Sequence, residues 1–291
     1  MKTKKVKPTK IIRPFDNVEV RLFGCNSGKT DWSIKTLEKP EDYQNDIYRQ
    51  INLVAYDAGV RWLLAPRPSE FNALICTGED LNVTVRAPVM RNAEGTVEQR
   101  YIKIMRGCNA DGVEIPRDDV IRQGFWLSSA DCPTLIVTDG RRVICAHCGY
   151  KSLVDRGALR GTPTRPHFSV VDAVLEQFAG IDISHRVNLR AFVTLGIGPH
   201  WSEASETELE ALARYENPRA SYRVGRKKLN IVELVRCQCL NRGIGNVRTD
   251  DNDTFADKDK DGKFLWWSYE RAMKQSPADK LKRNGVMVIH H

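Results

Sequence analysis

Apolar positions along the chain change period several times, and each period marks an element. VEVRLF at Val18 to Phe23 alternates and predicts a strand. Between Pro40 and Gly59 the spacing turns helical through Ile47, Ile51, Val54 and Ala55, and Gly59 supplies a stop. LNVTVRA and QRYIKIMR alternate again around a polar NAEG turn, which predicts a long two-stranded ribbon over residues 81 to 106. GFWLSS and the hairpin ADCPTLIVTDGRRVICAHCG follow, then a helix over Ser169 to Phe178 and a buried strand, LRAFVTLGIG, ending at Gly198. SEASETELEALARYE and Asn230 to Leu240 have helical spacing, with Gly243 as the second stop. A charged loop, DDNDTFADKDKDG, precedes a last strand, VMVI. Strands outnumber helices and do not alternate strictly with them, so the pattern predicts a mixed-sheet α/β or α+β domain over residues 18 to 291 behind a basic, flexible tail at 1 to 17.

Composition adds bounds. The chain has 291 residues, 41% of them hydrophobic, enough for a substantial core. Lys and Arg number 45 against 37 Asp and Glu, a formal charge of +8 with much of the excess in MKTKKVKPTK and SYRVGRKK. No nucleic-acid module follows either cluster, so they read as a solvated tail and turn, with no specific nucleic-acid partner. The N-terminus lacks a continuous apolar segment, and no stretch reaches the roughly 18 to 20 apolar residues of a bilayer span. A cytoplasmic protein with no membrane partner is expected. The eight cysteines lie beside histidines and within strands, which suits reduced thiols or metal ligands better than a disulfide framework.

Four stretches are candidates for chemistry. LFGCNSGKT ends like a phosphate-binding loop, but only three residues separate Gly24 from Gly28 where four are needed, so it reads as a surface loop. Cys145 and Cys148 form a C-x-x-C, yet Cys145 lies in a predicted strand, away from the helix N-terminus that activates such thiols. Cys237 and Cys239 lie two apart on a predicted helix and read as core. In the hairpin, Asp139-Gly140 fits a two-residue type I′ turn. That turn sets Thr138 against Arg141 and, counting outward, Cys132 against His147, with Cβ atoms about 5 Å apart. Such a pair serves as a Cys–His nucleophile, as two ligands of one zinc ion, or as incidental residues in a buried hairpin.

The residues around that pair resemble a known family. Ala130-Asp131-Cys132 and His147-Cys148-Gly149-Tyr150-Lys151 resemble the ADC and AHAGWR signature of the YfiH-like family, called laccase-domain or multicopper polyphenol oxidases and now regarded as zinc-dependent purine nucleoside phosphorylases that also deaminate adenosine. Asn109 to Val113 resembles its ADALVT segment, and Leu195 to Pro199 its AIGP turn. Asp253-Thr254-Phe255, FLWWSYERA and VMVI resemble its C-terminal blocks. The order is the family's from about Val18 to the C-terminus.

The resemblance implies a mixed β-sandwich flanked by helices. It implies purine nucleoside and phosphate as substrates, with zinc rather than copper held by Cys132, His147 and a further His. That His is replaced: the matching segment Ile75-Cys76-Thr77-Gly78 has Thr77 in its place. Cys76 and His200 are the candidate third ligands, and Arg21 and Lys151 the candidate phosphate contacts. Two rival readings stand beside zinc-dependent phosphorolysis. One is a metal-free hydrolase or deamidase with Cys132 as nucleophile and His147 as base; the other is a non-catalytic binding protein.

Overall fold

The computed structural model describes residues 6–25, 31–34, 46–68, 72–81, 83–86, 90–91, 97–98, 102–118, 120–178, 183–199, 204–216 and 221–291. In chain order they form β1 (Lys10–Phe15), β2 (Val18–Phe23), α1 (Asp46–Asp57), β3 (Trp62–Leu64), β4 (Ile75–Cys76), β5 (Val83–Arg86), β6 (Met90–Arg91), β7 (Val97–Glu98) and β8 (Lys103–Arg106). The middle of the chain supplies β9 (Gly112–Ile115), β10 (Gln123–Ser129), β11 (Thr134–Thr138), β12 (Val143–His147), α2 (Tyr150–Leu153), α3 (Val170–Gln177) and β13 (Arg190–Thr194). After it come α4 (Glu206–Tyr215), β14 (Arg223–Val224), β15 (Lys228–Leu229), α5 (Ile231–Asn241), β16 (Asn246–Thr249), α6 (Tyr269–Gln275) and β17 (Asn284–His290).

Two mixed sheets face each other. One has the order β1-β2-β17-β10-β3-β8-β5, the other β16-β13-β11-β12-β9-β4. Val20, Leu22, Phe125 and Val288 from the first meet Val113, Ile136, Cys145 and Phe192 from the second in one apolar cluster. The outer face of the first sheet packs Leu63, Trp126 and Met287 under α1 through Tyr48, Ile51 and Ala55. On the outer face of the second, Leu135, Ile144 and Val193 are covered by α3 and α5 through Val171, Val174, Leu234 and Val235. The layers are therefore helix, sheet, sheet, helix, and the expected sandwich flanked by helices is the fold found. Strands β11 and β12 are buried at every position because both faces are covered, which is why they read as continuous apolar runs.

Local signals act where they were read. Gly59 takes φ +78° after α1, and Gly243 takes φ +92° after α5. The N-terminus of α3 is a capping box, in which Ser169 accepts from Asp172 N and the Asp172 side chain accepts from Ser169 N. The 81–106 ribbon forms where it is described, with Val83 opposite Arg106 and Arg86 opposite Lys103. The tail expected over 1–17 is corrected. Lys10–Phe15 is strand β1, antiparallel to β2 with Lys10 opposite Leu22, its burial deepening toward Phe15. Clustered lysines masked an amphipathic edge strand. Residues 26–30 of the false phosphate loop lie outside the described residues. Among the described residues, no helix is long and apolar enough to cross a membrane.

Candidate functional site

The turn of the hairpin differs from the two-residue form. Thr138 pairs with Val143 and Thr134 with His147, so four residues, Asp139 to Arg142, make the connection. The Asp139 carboxylate accepts from Arg141 N at 2.8 Å and Arg142 N at 2.7 Å, and Gly140 has φ +96°. An aspartate that caps two following amides builds a longer turn than the type I′ geometry allows. The register therefore slides by two residues, and Cys132 is diagonal to His147 instead of opposite it. A shift of two preserves the face of every side chain, so the pair still meets.

What completes the meeting is the bend before β11. Asp131 has φ +80°, a left-handed conformation unusual for a residue with a side chain. It is held there from three sides: its carbonyl accepts from Ile197 N at 2.8 Å, and its carboxylate accepts from Thr254 Oγ1 at 2.6 Å and Glu270 N at 2.7 Å. Burial raises the Asp131 carboxyl above the usual carboxylate range. The next residue, Cys132, is fixed through its carbonyl by Ser129 Oγ at 2.7 Å, and Pro133 O accepts from Cys148 N at 2.8 Å. Cys132 is partly exposed and within hydrogen-bond reach of the buried His147 ring.

Gly149 makes room for the pair. A Cβ at this position would lie 3.3 Å from Cys132 Sγ, 2.9 Å from His147 Cε1 and 3.5 Å from His147 Nε2. The two side chains therefore converge on bare backbone. On the far side of the ring, His147 Nδ1 lies 3.7 Å from Asp111 Oδ1, an ionic contact longer than a hydrogen bond. Asp111 is itself buried and oriented, accepting from Ser152 Oγ at 2.9 Å and Ala73 N at 2.8 Å, and its own carbonyl accepts from His147 N at 2.7 Å. Burial of the imidazole disfavours its charge, but the neighbouring Cys132 and Asp111 outweigh burial and push its pKa up to about 10. The line Asp111, His147, Cys132 is thus carboxylate, imidazole and thiol in sequence.

This line opens into a cavity of about 640 Å³. Its walls include Ser129, Tyr150, Lys151, Tyr269, Glu270 and Arg283. Tyr150 is buried and donates from its hydroxyl to Glu208 at 3.0 Å, whereas Lys151 is exposed at the rim. Lys151, the expected anion contact, is therefore at the site.

Arg21 is not among the residues lining this cavity. It lies on β2 opposite Met287, and its Nε is 2.7 Å from Glu19, which also binds Arg13 at 2.8 Å. Its charge is used to neutralise a carboxylate that is 3% exposed. The role expected for Arg21 is corrected accordingly.

Cys76 is also elsewhere. It is on β4, two strands from β12, or about 10 Å at the usual strand spacing. Its thiol is buried between the sheets within hydrogen-bond reach of Cys108, and burial raises its pKa. Its thiol is engaged with Cys108, and no described group of three donors joins it to Cys132 and His147, so the third-ligand role expected for Cys76 is corrected. Thr77 is exposed and donates to Asp80 at 2.9 Å. His200 lies outside the described residues. Cys145 and Cys148 are fully buried in the clusters on opposite faces of their sheet, and Cys237 and Cys239 are core residues of α5.

Cys132 and His147 are donor types that zinc accepts, yet three protein ligands are needed for a catalytic ion. Among the described residues no group of three His, Cys, Asp or Glu is placed to hold a metal. Two donors converge beside Gly149 and a third does not, so the described donor set does not fit a zinc centre. The residue that sequence reasoning missed is Asp111. Its signal was present in the NADGV segment, where the Asp matches the family's ADALVT, but nothing local linked it to His147.

No family profile and no curated protein sequence matches the chain. Solved structures do. A Neisseria meningitidis protein described as DUF152 superposes with a TM-score of 0.62 at 16% identity, covering 99% of each chain. YlmD from Geobacillus stearothermophilus gives 0.60 at 14% identity over 96% of this chain and 94% of its own. The hypothetical protein YfiH of Bacillus licheniformis gives 0.55 at 13% identity over 94% and 93%. With the order of strands, the ADC bend and the Cys132–His147 meeting already in place, these matches show that the chain has the YfiH-like fold over nearly its whole length.

Proposed function

We propose that the chain is a thiol-dependent hydrolase or deamidase that cleaves a carbon–nitrogen bond, with Cys132 as nucleophile, His147 as acid and base, and Asp111 as the residue that positions His147. The carrying observation is the continuous Asp111–His147–Cys132 line at the floor of an open cavity. In a Cys–His pair the sulfur is the attacking atom and the imidazole its proton carrier. In the step itself, Cys132 Sγ attacks the carbonyl or amidine carbon of the substrate. His147 passes its proton to the departing nitrogen, then takes one from water as that water displaces the thiol. Asp111, on the Nδ1 side of the ring, favours the charge that His147 carries when it holds the proton.

A second reading is zinc-dependent phosphorolysis of a purine nucleoside. The likeness of the Cys132 and His147 segments to the family's signature and a lysine lining the cavity favour it, although a third ligand is not found among the described residues. The two separate in one experiment: assay adenosine and inosine with and without phosphate, and with and without chelator, beside glutamine-type amides. The thiol reading expects turnover that survives chelator and is abolished by alkylation. Base release that requires phosphate and disappears with chelator would replace it with the second reading.

A further inference from the structure

Neither Cys76 nor Cys108 lines the Cys132 cavity, yet the fold brings these two together. Cys76 ends β4, where pairing with β9 sets it beside Val113, and it belongs to the apolar cluster between the two sheets. Cys108 follows β8 of the other sheet, past Gly107 at φ +109°, and packs against the same cluster while partly exposed. Both are free thiols, and each lies within hydrogen-bond reach of the other.

Their exposures differ in the way a two-step thiol exchange needs. Cys108 can meet a solute, whereas Cys76 is 4% exposed and shielded from one. Burial raises both thiols above the ordinary range, but the contact between them acts in opposite senses: it favours the thiolate of Cys108 and disfavours that of Cys76. Cys108 is therefore the attacking sulfur and Cys76 the resolving one. Cys145, Cys148, Cys237 and Cys239 lack such access, each being 0% exposed. The segments that carry the pair are already aligned. Arg67 N donates to Cys108 O at 2.9 Å, Asn72 Nδ2 to Asn109 O at 2.8 Å and Asp111 N to Leu74 O at 2.9 Å.

We propose that Cys76 and Cys108 are an oxidisable dithiol, converted to a disulfide by exchange with a low-molecular-weight disulfide such as oxidised glutathione. Cys108 Sγ, as thiolate, attacks one sulfur of that reagent; a mixed disulfide forms, the reagent's own S–S bond breaks, and the departing thiolate takes up the proton Cys108 gave to solvent. Cys76 Sγ then attacks Cys108 Sγ and displaces the second glutathione, which leaves with the equivalent of the Cys76 proton. Two protein thiols are oxidised and one small disulfide is reduced to two thiols. The new bond fastens β4 to the chain three residues before Asp111. The dithiol rests on neither reading of the Cys132 cavity.

The test is incubation of the reduced full chain with oxidised glutathione at about pH 8, over hours because few thiolates are present, then alkylation of the remaining thiols and tryptic mapping without reductant. Cleavage at Arg86 and Arg106 separates the two cysteines, so their disulfide shows as one joined peptide. The dithiol predicts that this peptide is about tenfold or more as abundant as any other cysteine pairing, is lost with dithiothreitol, and loses its preference when the chain is unfolded in urea. Cys76→Ser should stop after the first step, with glutathione kept on Cys108, and Cys108→Ser should leave Cys76 unmodified. Glutathione that stays on Cys108 in wild type, a joined peptide no more abundant than other pairings, or modification of Cys76 in Cys108→Ser at the wild-type rate overturns the dithiol.

Discussion

Gly149 and Asp111 shape the site as much as Cys132 and His147 do. A methyl group on Gly149 would press on the His147 ring at 2.9 Å, and the neighbours are themselves packed. Gly149→Ala is expected to cost about 1 to 3 kcal/mol of stability, the range for overpacked positions, and to separate Cys132 from His147. Urea melts and thiol-labelling rates measured on the same preparation check both parts. Asp111→Asn keeps the shape but removes the charge behind the imidazole; turnover should fall about 10- to 100-fold and recover partly with Asp111→Glu, whereas Cys132→Ala should lower it by about a thousandfold or more. The pH dependence of stability has a definite sign. His147 is raised in the folded state from an ordinary value near 6.5 to about 10, so the stability it contributes is fully present below about pH 6.5 and is lost as pH rises through about 10. Denaturation midpoints measured between those values should decline more steeply for wild type than for His147→Gln.

At the scale of elements, the hairpin shows what a local pattern does and does not determine. Counting outward from the Asp139-Gly140 turn put Cys132 and His147 on one face, and the pairing of β11 with β12 keeps that face. The register was misread because Asp139 caps Arg141 N and Arg142 N and so lengthens the turn, a choice set by side-chain hydrogen bonds that dipeptide preference does not encode. Burial pushes the Asp139 carboxyl upward, but hydrogen bonds from Arg142 and Arg141 outweigh it and hold the carboxyl below its usual range. Asp139→Ala should therefore cost about 1 to 2 kcal/mol, comparable to loss of a helix cap, and alkylation of Cys132 should be little changed because the face of the strand is unchanged. A large loss of labelling would mean that the turn also sets the Cys132 bend. Asp111 was not legible as a partner of His147, because their proximity is made by β9 pairing with β12, a long-range register. Similarly, Arg21 matched a motif by position, but its face of β2 is the one that also carries Glu19.

The whole molecule explains why the site lies where it does. Two sheets enclose a shared core, and Cys132 and His147 stand at one end of it, where β11 begins and β12 ends. From farther along the chain come the contacts that fix the bend: Ile197, Thr254 and Glu270 all hold Asp131. The layered sandwich was readable from strand count and from the order of family-like blocks, since each block is a local signature. Cys76 shows the limit of that approach. Its position beside the motif made it a ligand candidate, yet β4 is the far strand of its sheet and the thiol faces Cys108. The same architecture makes the Asp111–His147–Cys132 line independent of any third donor, which is the central claim. Iodoacetamide labelling of chelator-treated protein, read by peptide mass spectrometry near neutral pH, tests it most directly. The account predicts that Cys132 is labelled ahead of the buried thiols and that His147→Gln slows its labelling about tenfold or more. Labelling of Cys132 at the same rate with and without His147, or only as fast as an ordinary exposed thiol, would contradict it.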